Sequence, residues 1–323
     1  MSELVIFHKQ LGDTVLLEPV LRKLAEASGA QVELLCPRQF APVIELMPHT
    51  RLAAGRSRWF PDRLWAYDWG GKTTRAAAIT FCREKHLLIP NADWVTRLHR
   101  MVFSHVQVEP YLDRYISGYF WDHTGAGTVK TEFTPVKLEL PPEEWRSQMR
   151  IEEPYMLLNP VSAWKRKSYD AEKWGDVLIG VRDLGFSRVL MTGGTDEWQR
   201  EHCMQIMAAA AARSVTVTDI SGKTDLKEFL YIISRAKMVL CVDGAAAHLA
   251  RGFRVPCVTI FGPSYRKIWH QTDEKNLCVY AFDHSDELRP NAASIPVEAV
   301  FSAVKALLGN IVGWTPLNRI HSE

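Results

Sequence analysis

Several common signatures are missing from this chain of 323 residues, and each absence narrows what the protein can be. Its six cysteines are scattered without a C-x-x-C pair, so neither a disulfide framework nor a zinc ribbon is indicated, and a reducing compartment is expected. The sequence has no G-x-x-x-x-G-K-[ST] phosphate loop, no G-x-S-x-G elbow and no G-x-G-x-x-G after a strand. P-loop hydrolases, α/β-hydrolases and dinucleotide-dependent enzymes are therefore not indicated.

Metal-binding and membrane-spanning patterns are missing as well. No D-x-D pair and no His, Asp or Glu cluster with metal-ligand spacing occurs, so we expect neither a metal nor another cofactor. No run of about 20 apolar residues and no basic, apolar leader is found, which predicts a cytoplasmic protein. The net charge of +2 is too small to indicate nucleic-acid binding.

The chain does contain an alternation of apolar strands and amphipathic helices. A strand at 4–7 is followed by a helix at 14–28 and a second strand at 31–35, whereas residues 92–128 show no clean period. The second half is clearer, with five strands that start near 155, 188, 215, 238 and 257 and are separated by helices. Strands that alternate with helices in this way predict an α/β protein whose parallel sheets are covered on both faces.

The length suggests more than one such domain. We expect two Rossmann-like domains, 1–150 and 151–323, each a doubly wound parallel sheet, facing each other across a cleft. The last helix, which begins near residue 297, is a candidate to pack back on the first domain.

Asp13 lies at the start of the first predicted helix, at the end of the loop that follows the first strand. Gly12 before it lets the backbone turn tightly. As an N-cap residue, Asp13 would accept a hydrogen bond from a free helix N–H, which is the common role of an acid at this position. As a general base, it would take a proton from a hydroxyl nucleophile. The sequence leaves both interpretations open.

Ser162 and Lys167 lie in a loop that follows the first strand of the second half. Small hydroxyl residues are followed there by a basic run at 165–167. Hydroxyl groups and cations at a strand end can bind a diphosphate. The alternative is an ordinary solvated basic loop.

A second loop of this kind contains Thr192, Gly193 and Glu197. Its glycine would let a ligand approach the backbone closely, and its acid would accept hydrogen bonds from a ribose. The alternative is a turn in which Thr195 or Asp196 caps the next helix.

Asp243 ends the apolar strand at 238–242, and a helix of small residues begins at once after Gly244. Ala245 opens this helix and His248 follows in its first turns. A strand that feeds a helix N-terminus through small residues directs backbone N–H groups and the positive end of the helix dipole towards an anion. In the structural alternative, Asp243 caps the helix and His248 is a packed core residue.

Taken together, these motifs resemble the bacterial lipopolysaccharide heptosyltransferases of glycosyltransferase family 9. The resemblance is carried by six motifs that occur in order: Leu11-Gly12-Asp13, Lys167 followed by Trp174, Thr192-Gly193-Gly194, Ile220 to Leu226, Asp243-Gly244 through Ala250, and Phe261 to Ser264. It implies a GT-B fold and an inverting, metal-independent transfer of heptose from ADP-L-glycero-D-manno-heptose to a sugar of the lipopolysaccharide inner core.

By position, the resemblance makes Asp13 the catalytic base and assigns donor binding to residues of the second domain: Ser162, Lys167, Thr192, Gly193, Glu197, Asp243, Gly244, Ala245 and His248. Ser162 and Lys167 would contact the diphosphate, and Glu197 would lie near the ribose. Asp243 would bind the heptose hydroxyls, while Gly244 and His248 would line the phosphate and sugar site. A glycolipid acceptor implies peripheral contact with the cytosolic face of the inner membrane, and the oligomeric state is left open.

The chain departs from the family pattern at several points. Ser162-Ala163 replaces a threonine pair, Ser168-Tyr169 replaces Trp-Pro or Phe-Pro, and no Ser/Thr-Gly pair follows Asp243. Residues 51–128, which would shape the acceptor side, hardly resemble common members. Three alternatives therefore stay open: transfer to a protein or another glycan, a nucleotide-sugar epimerase or hydrolase that uses His8 and Glu18, and a non-catalytic nucleotide-sugar-binding protein.

Overall fold

The protein consists of two compact units, Met1–Glu139 and Leu140–Glu323. The computed structural model describes residues 1–54, 59–110, 113–125, 132–149 and 151–310. Each unit contains a six-stranded parallel sheet with helices packed on it, so the predicted α/β class with two doubly wound sheets is confirmed.

The first unit has the strand order β3-β2-β1-β4-β5-β6, with every pair parallel. Its strands are β1 Glu3–Ile6, β2 Val32–Leu35, β3 Thr50–Leu52, β4 Arg63–Ala66, β5 Glu84–Ile89 and β6 His105–Val108. Its helices are α1 Leu11–Val15, α2 Glu18–Ser28, α3 Ala41–Glu45, α4 Gly71–Ile79, α5 Arg97–Val102 and α6 Ile116–Asp122. β1 is buried along its whole length because it is a central strand covered on both faces.

The second unit repeats the same topology in the order β12-β11-β10-β7-β8-β9. Its strands are β7 Met156–Asn159, β8 Val189–Met191, β9 Val217–Asp219, β10 Met238–Val242, β11 Cys257–Phe261 and β12 Asn276–Tyr280. Its helices are α7 Ala171–Asp183, α8 Glu197–Ala212, α9 Leu226–Arg235, α10 Ala245–Gly252, α11 Arg266–Trp269 and α12 Val297–Asn310. The buried runs of β10 and β11 have the near-continuous apolar character of strands covered on both faces.

In both sheets the chain winds outwards in one direction and then in the other. The reversal falls between β1 and β4 in the first sheet and between β7 and β10 in the second. We call this place the switch point of each sheet. The loops that leave the carboxyl ends of the two strands there diverge and open a crevice, which is where open α/β sheets bind their ligands.

The division between the units comes before the boundary expected near residue 150, a residue outside the described ranges. The reason is the short 3₁₀ turn Glu143–Trp145, which packs on α9 of the second unit. Trp145 is buried there, and the Tyr231 hydroxyl donates a hydrogen bond of 2.7 Å to Glu143.

The last described helix, α12, belongs to the second unit. Val300, Val304 and Leu307 are fully buried in the core of that unit, which also contains residues of α7. The buried face of this helix thus contributes to the core of its own unit. Within the described ranges, no helix combines the length and apolar character needed to cross a bilayer.

Candidate functional site at the switch point of the second sheet

Most residues that the sequence singled out in the second domain follow β7 or β10. These strands pair in parallel with Met238 opposite Met156 and Cys241 opposite Asn159. Their carboxyl ends are therefore level, and the loop with Ser162 and Lys167 starts beside the loop with Asp243. This is the switch point of the sheet.

An ion pair joins these two loops. Lys167 Nζ lies 2.6 Å from Asp243 Oδ2, and the Asp243 side chain is only 3% exposed. The Asp243 backbone N–H donates to Ile260 O at 2.9 Å, which continues the β10–β11 ladder and fixes the carboxylate at the end of its strand. The lysine ammonium also lies 5.0 Å from the ring centroid of Trp164. A cation and an acid are thus held together at the carboxyl edge of the sheet.

Asp243 is not the cap of the following helix. The N-cap of α10 is Gly244, which has an extended backbone with φ 178°. A Cβ at Gly244 would lie 3.3 Å from the Ser162 Cβ, so a glycine lets the start of α10 approach the Ser162 loop closely. The Ser162 hydroxyl oxygen accepts a hydrogen bond from Trp164 N at 3.3 Å. Ala245 opens α10, and Ala247 N donates to the carbonyl of the N-cap Gly244 at 3.2 Å. The N–H groups of a first helical turn have no acceptor four residues earlier within the helix.

His248 is buried in α10 and carries no charge at neutral pH. Burial disfavours its charged form, and the nearby Arg251 and Lys167 add to this effect. Together they lower the pKa of His248 to about 4 against the opposing influence of Asp243. The pKa of neighbouring His270 falls to about 3 for the same reasons, burial first and then Arg251 and His248. Positive charge at this edge therefore comes from lysine and arginine side chains.

The loop after β8 is tied to the same edge. Thr192 N donates to Leu158 O at 2.9 Å, and Asn159 Nδ2 donates to Thr192 Oγ1 at 3.0 Å. Gly193 continues the turn, and its carbonyl accepts from Gly222 N at 3.0 Å. Glu197 is exposed in the first turn of α8, whose N-cap is Asp196. The three predicted residues are thus placed one strand away from the ion pair, with Glu197 the most open to solvent.

Two residues that the sequence did not single out hold this arrangement together. Gln199 Nε2 donates to Ser162 O at 3.0 Å, and a Cβ at Gly194 would overlap Gln199 Oε1. Gln199 is buried and so links the loop after β7 to the start of α8. Asn159 links the ends of β7 and β8. In the sequence, Asn159 is only weakly indicated, as a polar residue that ends an apolar strand. No local sequence pattern indicates a role for Gln199.

Asp13 belongs to the first unit, at the switch point of the first sheet. It lies in the short helix α1, is half-buried, and its carboxylate accepts a hydrogen bond from Gln10 N at 3.4 Å. This long bond, made through Oδ2, has the geometry of a capping box. Both interpretations made from the sequence are compatible with this position.

Among the described residues, no three or more His, Cys, Asp or Glu side chains are grouped in a way that could hold a metal ion. The chemical groups that the site offers are therefore a buried acid paired with a lysine, exposed basic residues at 165 and 166, and the start of a helix.

Comparison with known families agrees with the motifs. The sequence profile described as "Glycosyltransferase family 9 (heptosyltransferase)" matches residues 74–292, well over half of the chain. The chain belongs to glycosyltransferase family 9. The resemblance stated from the sequence motifs is thereby confirmed. The matched range contains every glycosyltransferase family 9 donor-site candidate named above, whereas Asp13 lies before it.

Individual relatives are distant. The chain is 24% identical over 194 residues to lipopolysaccharide heptosyltransferase 3 of Escherichia coli, and the match covers 56% of each protein. The chain thus spans little more than half the length of the curated relatives that it matches.

Two solved structures share the fold over nearly the whole chain. A glycosyltransferase of family 9 from Veillonella parvula aligns with a TM-score of 0.80 at 17% identity, covering 96% of this chain and 98% of that one. The ADP-heptose heptosyltransferase II of E. coli aligns with a TM-score of 0.76 at 16% identity, covering 95% and 98%. At such low identity these alignments show that the fold is shared.

Proposed function

We propose that this chain is an inverting, metal-independent heptosyltransferase. It moves heptose from ADP-L-glycero-D-manno-heptose to a sugar of the lipopolysaccharide inner core, with no cofactor and with peripheral contact at the cytosolic face of the inner membrane. The observation that carries the proposal is the Lys167–Asp243 pair at the switch point of the second sheet, in a member of glycosyltransferase family 9.

The second unit supplies the donor site in this proposal. Lys167 and the exposed basic residues beside it balance the charge of the diphosphate, and the first N–H groups of α10 donate hydrogen bonds to it. Negative charge grows on the leaving phosphate in the transition state, so cations and amides fixed in advance stabilise it more than the ground state. Asp243 accepts hydrogen bonds from the sugar hydroxyls, and the neutral His248 adds an uncharged polar contact. Glu197, exposed at the start of α8, accepts from the ribose.

Asp13 of the first unit acts as the general base. It removes the proton of the acceptor hydroxyl, whose oxygen then forms a bond to the anomeric carbon while the bond from that carbon to the diphosphate breaks. ADP leaves with the electron pair, and inversion follows from this single displacement. A positioned base of this kind contributes typically about 10²–10⁴-fold to the rate.

The substitution Asp13→Asn distinguishes a general base from a structural N-cap residue. Asparagine keeps a side-chain oxygen that can accept the Gln10 N–H, but it cannot take a proton. We expect kcat to fall by about 10²-fold or more, with the Kd of ADP and the unfolding temperature nearly unchanged. A variant that retains parental turnover would show that Asp13 is a structural cap only.

A donor and acceptor screen tests the substrate. ADP-heptose is expected to raise the unfolding temperature more than UDP- or GDP-sugars do, because selective binding stabilises the folded state. Transfer is then measured to inner-core glycolipid, to other glycans and to protein, with and without EDTA, which should not change the rate. Donor binding without any transfer would support a binding protein, and release of free sugar or an epimer without acceptor would support the hydrolase or epimerase alternative.

A further inference from the structure

Two helices of the first unit carry cations and no acids. These helices, α4 Gly71–Ile79 and α5 Arg97–Val102, cover the same face of the first sheet, where Ala77 of α4 and Phe103 after α5 share one core. The sequences of both helices contain no Asp or Glu. Their exposed cations are Lys72, Arg75, Arg97 and Arg100. None of these residues has a role in the proposed donor site or in the proposed proton removal.

The excess of positive charge persists when the flanking segments are included. Residues 68–84 and 91–104 together contain five Lys or Arg residues and three acids, the acids being Asp68, Glu84 and Asp93. Asp68 is 2% exposed, and its carboxylate already accepts hydrogen bonds from His8 N and Thr73 Oγ1. The loop after β1 adds one charge of each sign, Lys9 and Asp13, and so leaves the difference unchanged. This side of the first unit is therefore positively charged.

Large apolar side chains are exposed among these cations. On α5, Leu98 is 50% exposed and Met101 is 75% exposed, and their spacing of three residues places them on one side of the helix. Ile79, in the last turn of α4, is 53% exposed. We call this surface of the two helices the basic face; it consists of Lys72, Arg75, Ile79, Arg97, Leu98, Arg100 and Met101. Exposed apolar residues grouped in this way indicate an interaction surface.

The combination of cations and exposed apolar side chains fits the surface of an anionic bilayer. Long lysine and arginine stems let the charged groups reach headgroup phosphates, while apolar side chains enter the boundary between headgroups and acyl chains. A nucleic acid backbone would also neutralise the cations, but it offers no apolar layer for Leu98 and Met101. The lipid surface thus accounts for both features of the basic face.

We propose that the basic face docks on the surface of an anionic lipid bilayer. Its four cations bind lipid phosphates, and Ile79, Leu98 and Met101 insert at the headgroup boundary. Both helices start on the side of the sheet where β4 and β5 end, which is also the side of Asp13. Docking therefore brings the proposed base close to a lipid-linked acceptor. This use of the surface rests on the proposed function, whereas bilayer binding itself can be measured without turnover.

Co-sedimentation with vesicles tests the docking directly. The full chain is mixed with vesicles of phosphatidylcholine alone, or of phosphatidylcholine and phosphatidylglycerol in a ratio of about two to one. We expect binding to the anionic vesicles to be about tenfold tighter or more, and to weaken as salt is added, because salt screens charges at the lipid surface. Equal binding to both kinds of vesicle, or binding to neither, would overturn the proposal.

Paired charge variants locate the contact. Arg97→Gln combined with Arg100→Gln should weaken binding to the anionic vesicles about 25-fold, which is about fivefold for each charge. Arg38→Gln combined with Lys237→Gln is the matched control, because it removes the same charge at exposed residues outside the basic face. This control should change the binding less than about threefold. Equal losses for the two pairs would show attraction by net charge alone and would contradict the assigned surface.

An apolar pair tests insertion. Leu98→Gln combined with Met101→Gln leaves the charge unchanged and should weaken vesicle binding about tenfold or more, because apolar area is no longer buried at the headgroup boundary. Both side chains are exposed, so the unfolding temperature should stay near that of the parent chain. Unchanged vesicle binding would exclude insertion and overturn the proposal as stated.

Transfer to two forms of one acceptor separates docking from catalysis. With the glycolipid embedded in anionic vesicles, Arg97→Gln combined with Arg100→Gln should raise the acceptor KM about tenfold. With the same core oligosaccharide freed of its lipid, KM and kcat should each change less than about twofold. An equal loss with both acceptors would mean that these arginines contact the acceptor sugar, which would contradict docking as their role. If the parent chain transfers no heptose to either form, the proposed function fails, and the vesicle experiments still decide the docking.

Discussion

At the scale of single residues, the Lys167–Asp243 pair couples the stability of the fold to the proposed donor site. Lys167→Ala would leave the Asp243 carboxylate, 3% exposed, without its cation. Breaking a buried pair costs about 3–5 kcal/mol, and because the Lys167 side chain is 17% exposed we expect about 2 kcal/mol in urea unfolding. Lys165→Ala, an exposed lysine in the same turn, should stay within about 0.5 kcal/mol. Adding Asp243→Asn to Lys167→Ala should recover part of the loss, and simple additivity of the two changes would argue against the pair.

His248 makes stability depend on pH on the acid side. Its pKa is about 4 in the folded protein and has the ordinary value of 6.5 in the unfolded chain, which therefore binds the proton first as the pH falls. The contribution is fully present above pH 6.5 and is lost as the pH falls towards 4, by up to about 3 kcal/mol. Unfolding free energies across this range should fall less steeply for His248→Asn than for the parent chain. Exposed His284 changed to Asn should reproduce the parental slope, and equal slopes for all three proteins would contradict the assignment.

Local patterns located the site residues but not what each side chain contacts. Asp243 and Lys167 were recognisable because each follows a strand end in a motif of small or basic residues. Their 2.6 Å contact depends on β7 and β10 being neighbours, a long-range pairing that the order of motifs does not specify. Gln199 was missed for the same reason, since its partner Ser162 O lies in another loop. Asp13 remains a prediction, because its place in the fold suits both a cap and a base.

At the scale of elements, the strands were predicted more reliably than the first unit's helices. Every strand of the second half was anticipated up to β11, because each is a short apolar run bounded by turn residues. The helix expected at 14–28 is instead two helices, α1 and α2, because Pro19 lies in the first turn of α2 and cannot donate to a continuous helix.

Gly180 lets helices α7 and α12 of the second unit pack closely against each other. A Cβ at this position in α7 would overlap the ring of Phe301 in α12. Gly180→Ala should therefore destabilise the chain by about 1 kcal/mol in spite of the better helix propensity of alanine. With Phe301→Ala present, the same change should stabilise by up to about 1 kcal/mol. Gly309→Ala in α12 is the control, since nothing lies within 4 Å of its Cβ, and it should stabilise slightly in either background. A Gly180→Ala effect of the same sign with and without Phe301 would contradict this packing.

At the scale of the whole molecule, the two sheets have the same strand order, and candidate residues lie in both units. In each unit the chain reverses between the third and fourth strands of the sheet. Most candidate residues follow a strand at that reversal, whereas Thr192, Gly193 and Glu197 follow the neighbouring strand β8. Asp13 lies in the first unit, and the basic loop at 165–167 and the start of α10 lie in the second. The repeated strand–helix alternation predicted this architecture, whereas the strand order had to come from the structure.

The location of the candidate residues predicts how ADP changes the amide hydrogen exchange of each unit. Because every donor-site candidate lies in the second unit, ADP alone should slow amide exchange in the loops at 159–169 and 192–199 and at the start of α10. The segment from His8 to Asp13 should respond only when an acceptor is added. Protection equivalent to about 2.7 kcal/mol is expected at an ADP concentration near 100 times its Kd, in amides that exchange by unfolding of the second unit. Lys167→Ala should require more ADP for the same protection. Protection centred on the first unit would show instead that the nucleotide binds at the other switch point, and the roles of the two sheets would have to be exchanged.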